Sequence, residues 1–200
     1  MRLIAICLTV LLSACATTSD PGASTRQALP LHPGETPAVR RLVNKWADYY
    51  DVPRSLVHRV IQRESDYRAN AVAPSRLYWG MMQILPATAR NMGFRGKPSD
   101  LLEADTALKY SIRYLRGAWM VSDADEREAM MWYARGYYYE ARDQGLLQET
   151  GLRGTLWRDY DAGVRDMPAL DAQGNVVRAE PTCTPRTGVA ALFGDGCPDG

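Results

Sequence analysis

The sequence predicts a mainly α-helical protein built as a single globular domain, with at most a small β element. Three observations predict it. Apolar residues recur three and four positions apart in successive segments between Thr36 and Gly145, the spacing of one helix face. Proline, glycine and aspartate punctuate those segments and set loops between them. Finally, 46% of the 200 residues are hydrophobic, enough for one core. The chain has no internal repeat and no coiled-coil seam.

The first helix is expected to start at Thr36-Pro37, since proline suits the first helical turn. Val39, Leu42, Val43, Trp46 and Tyr50 form its inner face. Asp51-Val52-Pro53 interrupts the period. A second helix follows from Pro53 to Ser65, with Leu56, Val57, Val60 and Ile61 inward. Residues 66 to 80 lose periodicity around Asn70, Pro74 and Gly80 and read as a loop or short hairpin. Met81 to Met92 reads as a helix despite Pro86. Residues 93 to 98 form a loop, and Ser99-Asp100 offers a cap for a helix reaching Met120. Leu101, Leu102, Ala107, Leu108, Ile112 and Leu115 are its apolar positions. Ser122-Asp123 opens a last long helix ending near Gly145, with Asp125, Glu126 and Glu128 in its first turns, where the dipole favours acid. The domain is therefore placed at 37–150. The stretch 151–200, rich in Gly, Pro and Asp, reads as an irregular extension.

The N-terminus has a different character. Met1-Arg2 is followed by an apolar run from Leu3 to Leu12 and then Ser13-Ala14-Cys15. A charged start, a short apolar segment and small residues make a secretory signal over residues 1–14. A transmembrane anchor is the alternative, but a spanning helix needs roughly 20 apolar residues. Leu12-Ser13-Ala14-Cys15 resembles the bacterial lipoprotein lipobox. That resemblance implies lipidation at Cys15, anchoring to a membrane, and a periplasmic location at the outer membrane, because Ala16 follows the cysteine rather than a retention aspartate. Residues 15–36, rich in Thr, Ser, Pro and Gly, read as a tether.

Cysteine usage points the same way. Beyond Cys7 and Cys15 only Cys183 and Cys197 remain. In an oxidising compartment such a pair suggests one disulfide, worth roughly 3 kcal/mol in the chain-entropy picture; two free thiols are the alternative. Net charge is +1 without a long basic run, so nucleic acid is not expected as a partner. His32 falls in the tether and His58 lies one residue off the apolar stripe of the second helix. Neither has a partner at ligand spacing, so no metal site is read and no cofactor is expected.

Glu64 is the most informative residue. It continues the Val57, Val60, Ile61 stripe by seven, four and three positions, onto the face the helix buries, where a lone carboxylate is costly. It also stands in the last turn, where the negative end of the dipole opposes its charge. Both conditions raise its pKa, as a general acid near neutral pH requires. A glutamate whose head escapes to solvent at a frayed helix end explains the spacing equally well.

Three blocks bear on that choice: Glu64-Ser65, then Gly80-Met81-Met82-Gln83-Ile84-Leu85-Pro86-Ala87-Thr88-Ala89, then Trp132-Tyr133-Ala134-Arg135-Gly136. Together they resemble the lytic transglycosylases of the soluble-lytic-transglycosylase superfamily, over residues 37 to 145. The resemblance implies a goose-lysozyme-like fold, lysozyme-like α+β with little β, and peptidoglycan glycan strands as substrate. It makes Glu64 the catalytic acid and base and gives Ser65, Met82, Gln83 and Tyr133 to substrate binding. It further implies cleavage of the β-1,4 bond between N-acetylmuramic acid and N-acetylglucosamine, with closure of a 1,6-anhydro ring. Two departures stand out: Ala134 replaces the usual Asn, and Met81 the usual Leu. Two other readings remain open: a goose-type muramidase that hydrolyses the same bond, and an inactive peptidoglycan-binding lipoprotein.

Overall fold

A computed structural model describes residues 29–163, 166–171 and 174–177. The described residues from Leu31 onward form one compact body. The expected signal, Cys15 and the greater part of the tether fall outside the described residues, as do Cys183 and Cys197. Among the described residues there are seven α-helices: α1 (Pro37–Tyr49), α2 (Arg54–Glu64), α3 (Pro86–Asn91), α4 (Ala104–Met120), α5 (Glu126–Arg135), α6 (Tyr138–Asp143) and α7 (Leu156–Asp161). A 3-10 turn, Pro98–Leu102, precedes α4. Among the described residues the β content is limited to isolated bridges, Val72 with Trp79, Trp79 with Ile84, and Leu170 with Val176. The mainly α, single-domain expectation therefore holds.

α4 is the centre of the core. Leu108, Ile112, Leu115 and Ala118 are wholly buried along it, and it packs on α1, α3, α5 and the 3-10 turn. Each buried Leu or Ile contributes about 1.5–3 kcal/mol relative to exposure. Val43 and Ala47 of α1, Tyr50 just beyond its end, and Leu56, Val57, Val60 and Ile61 of α2 complete the same cluster. The starts of α1 and α5 are fixed by side-chain oxygens. Thr36 Oγ1 accepts from the Val39 N–H at 3.2 Å, and Asp125 from the Glu128 N–H at 2.9 Å.

Four boundaries differ from expectation. The helix expected from Met81 begins only at Pro86, because proline lacks the N–H that a helix interior uses and is tolerated in the first turn. Asp100 does not cap α4; it accepts from the Lys97 N–H within the 3-10 turn. Glu103 caps instead, accepting from Asp105 and Thr106. Asp123 and Ala124 have left-handed backbone, φ 52° and 62°, so α5 starts after them. The long final helix is broken into α5 and α6 at Gly136, whose φ of 86° suits a residue without Cβ.

Two segments outside the expected 37–150 limits also pack on the body. Glu35 is buried and His32 half-buried, so the chain is already folded several residues before α1. Beyond Gly151, α7 stands in the stretch read as irregular. Arg113 holds it by an ion pair to Asp161 at 3.2 Å. The buried Arg116 donates to the Pro168 carbonyl and to that of Tyr50.

Candidate active site

Glu64 is the last residue of α2. The N–H groups of Ser65 and Asp66 both donate to the Ile61 carbonyl at 3.0 Å, which closes the helix. Asp66 and Tyr67 then turn the chain away through left-handed backbone, φ 52° and 65°, an uncommon conformation for residues other than glycine. The Glu64 side chain is 23% exposed. Burial pushes its carboxyl above the usual carboxylate range, and the Arg63 guanidinium, 3.8 Å away, pulls only weakly the other way. The helix terminus adds to the upward push. Among the described residues, Arg63 is the charge that acts on Glu64. Asp66, the nearest acid in sequence, is exposed.

Opposite this helix end lies a tight hairpin. Trp79 and Ile84 exchange both backbone hydrogen bonds at 3.0 Å and leave Gly80–Gln83 as its four-residue loop. Gly80 has φ 75° and lies against the Leu101 carbonyl oxygen, and a methyl group there would also meet Ala107 at 3.2 Å. Only glycine fits. Gln83 also has left-handed backbone, φ 51°. Its side-chain amide donates back to the Gly80 and Ala71 carbonyls at 2.8 and 3.2 Å.

Two side chains pin this loop from opposite sides. Ser65 Oγ donates to the Met81 carbonyl at 2.6 Å. Tyr133 Oη, from α5, donates to the Met82 carbonyl at 2.9 Å. Burial pushes the Tyr133 hydroxyl far above its ordinary pKa, and the nearby Glu64 carboxylate adds to the effect. Tyr133 is therefore a permanent donor. The three sequence blocks meet here: the first and third each fasten one carbonyl of the second.

This geometry changes the roles read from sequence. Ser65, Met82 and Tyr133 are 3%, 0% and 8% exposed, so in this conformation none offers a side-chain surface to a glycan. They are positioning residues that fix the loop beside Glu64. Gln83 alone of the four is half-buried. Ala134 is exposed, so the absent Asn leaves no cavity.

A second constellation escaped the sequence. His32, Glu35 and His58 bring ligand-type atoms within 4.8 Å of one another, although 26 positions of chain separate the two histidines. Reading His32 as tether was therefore incorrect. The donors are already engaged. The Arg40 guanidinium donates through Nε and Nη2 to the two Glu35 oxygens at 2.5 Å, and the His32 N–H donates to Glu35 at 2.9 Å. His58 Nδ1 hydrogen-bonds the Tyr67 hydroxyl at 2.7 Å. With a cation already on its carboxylate, the cluster acts as a clasp between the segment before α1 and the turn after Glu64. Burial pushes the His58 imidazole below its ordinary pKa against the pull of Glu35, which keeps it neutral. The i,i+5 pair Glu35–Arg40 is its only local trace in sequence.

Comparison with family models finds that the transglycosylase SLT domain matches residues 41–149. Those limits enclose Glu64, the hairpin loop and Tyr133. The clasp residues 32–40 and α7 lie outside them. Comparisons with curated proteins and with solved structures give no match.

Proposed function

The chain belongs to the transglycosylase SLT domain family, whose substrate is peptidoglycan, and on that premise we propose that it cleaves the bond between N-acetylmuramic acid and N-acetylglucosamine with Glu64 as its single acid and base. The observation that carries this reading is the setting of Glu64. Its carboxyl is largely buried at a helix end, its pKa is raised, and among the described residues no second carboxylate is paired with it.

Glycosidases commonly flank the scissile bond with two carboxylates, and substrate-assisted enzymes are the exception. Here one carboxyl serves twice. Protonated Glu64 gives its proton to the glycosidic oxygen as the bond to the muramyl C1 breaks. The muramyl acetamide oxygen supports the positive charge developing at C1. Ionised Glu64 then takes the proton of the muramyl 6-hydroxyl as that oxygen bonds to C1 and closes the 1,6-anhydro ring. No water is consumed, and Glu64 ends protonated as it began. The Ser65 and Tyr133 bonds hold the loop that faces this chemistry, and such positioning is a large part of a rate enhancement.

The lipobox-like Leu12–Cys15 supports a lipid-anchored, periplasmic form. Labelled fatty acid should enter the wild-type chain and not Cys15→Ser.

The test of the reaction is digestion of purified peptidoglycan by the full chain and by Glu64→Gln, with products resolved by mass. Fragments one water lighter than reducing-end muropeptides, absent with Glu64→Gln, are the expected result. Reducing-end products would instead assign hydrolysis, and equal inactivity of both proteins would overturn the proposal.

A further inference from the structure

The outer end of α3 and the start of α7 frame a recess of about 380 Å³ lined by Arg90, Arg95, Arg153, Arg158 and Trp157. It is built around the tryptophan. The Trp157 ring lies against Gly93, where a methyl group would meet it at 2.7 Å. The guanidinium carbons of Arg95, Arg158 and Arg113 lie 5.2, 5.3 and 5.4 Å from the ring centroid, within cation–π range. Arg95 is further fixed, since its Nη1 donates to the Arg90 and Phe94 carbonyls at 3.0 and 2.9 Å.

The charges here are one-sided. The neighbouring acids are already engaged: Asp161 pairs with Arg113, and Glu149 and Asp159 have partners of their own. The described residues that line the recess include four arginines and no carboxylate. Guanidinium groups gathered around one ring repel one another, and a bound anion relieves that repulsion. Arginine's planar fork suits a carboxylate, which it can hold by two parallel bonds.

We propose that this recess is an anion-binding site that takes a carboxylate of the peptide carried on the muramyl residues of the glycan. The identity of the anion rests on the peptidoglycan reading above; the recess itself does not. α3 links the two places. It begins three residues after Gln83 and ends at the recess, and its six residues span about 9 Å at 1.5 Å each. An extended peptide covers the length of that helix in about three residues. The recess thus recognises the acidic substituent of the strand, while the Glu64 site acts on the strand itself.

The experiment measures binding rather than cleavage, in full-length Glu64→Gln protein, so failure of catalysis and failure of this proposal stay distinct. The probes are a soluble disaccharide-peptide, the same disaccharide without peptide, and inorganic phosphate. The peptide-bearing probe is expected to bind at least about tenfold more tightly than the bare disaccharide. Raising salt from about 50 to about 500 mM should erase most of that difference, and Arg95→Gln with Arg158→Gln should abolish it. If that double variant melts early, Arg153→Gln alone should still narrow the gap severalfold. Equal affinity of the two disaccharides would overturn the proposal, as would a preference indifferent to salt and to all three arginines. Phosphate that binds without any preference between the disaccharides would also overturn it, by assigning the recess to a different anion.

Discussion

Tyr133→Phe isolates one hydrogen bond of the candidate site. The substitution keeps the ring, and with it the contact to Tyr114 at 5.4 Å between centroids. It removes only the hydroxyl that donates to the Met82 carbonyl at 2.9 Å. Both residues are buried, so the carbonyl is left without its donor, at a cost of about 1–3 kcal/mol. At roughly 4 °C per kcal/mol for a domain of this size, the melting temperature should fall by about 4–12 °C. Activity should fall by more than stability. The hairpin loop would be free to slip relative to Glu64, and a misplacement of about 1 Å can cost about 100-fold in rate. Ser65→Ala removes the neighbouring bond to the Met81 carbonyl and should behave alike. Because both bonds fix one loop, the double variant should deviate from additivity by about 0.5–3 kcal/mol. Calorimetric melting and release of soluble fragments from purified peptidoglycan are the two measurements. A Tyr133→Phe protein with unchanged melting temperature and unchanged release rate would refute the claim that this bond positions the loop.

Three further outcomes follow from the same contacts. Glu64 has a folded-state pKa above its ordinary value of 4.5, so wild-type stability falls as pH rises through the folded value while that of Glu64→Gln does not. In paired melts the variant should be the more stable at about pH 8, and the gap should close by about pH 4. At Glu35, burial pushes the carboxyl up, but Arg40 and the His32 N–H hold it below its ordinary value. Its contribution is therefore present above 4.5 and is lost as pH falls through the lower folded value. Glu35→Gln, which takes its carboxylate partner from Arg40 at 18% exposure, should cost up to about 3 kcal/mol at neutral pH, read by denaturant unfolding. Gly80→Ala sets a methyl group against the Leu101 carbonyl at φ 75° and should cost about 3–5 kcal/mol, the upper range for one substitution; a fully folded variant with wild-type stability would contradict the packing described for the loop.

How far the sequence could be read depended on the range of the interactions involved. α1, α2 and α4 were legible because each carries an apolar stripe long enough to fix the period, as Val57, Val60 and Ile61 do for α2. The boundaries that escaped were decided by single backbone facts. Pro86 suits a first turn and no later one, and Gly136 breaks a run whose aromatic residues read as continuous helix. Ser99-Asp100 was the cap expected for α4, yet Glu103 fills that place, and periodicity does not locate a cap to within a few residues.

The site shows the same division more sharply. The stripe placed Glu64 on a largely buried face, and the three blocks meet in the structure, where Ser65 and Tyr133 bond the Met81 and Met82 carbonyls. What the blocks could not reveal was the direction of their contacts, because Ser65 and Tyr133 act on main-chain carbonyls, which every residue possesses. A residue alphabet marks the donors and is silent about the acceptors. The clasp of Glu35, Arg40, His58 and Tyr67 is harder still, since it joins the segment before α1 to the turn after α2 and lies partly outside the family match. Yet it bears on the same carboxyl. Tyr67 follows Glu64 by three residues, and its hydroxyl is tied to His58 six residues before Glu64. The helix end that carries Glu64 is thus braced on both sides: the hairpin loop through Ser65, and the pre-α1 segment through His58 and Tyr67. A carboxyl whose pKa is held above its ordinary value needs both low exposure and a fixed position, since a frayed helix end would return it to water and to that ordinary value. The frayed-end alternative that spacing alone left open fails for that reason, and Ser65, His58 and Tyr67, which exclude it, are themselves buried.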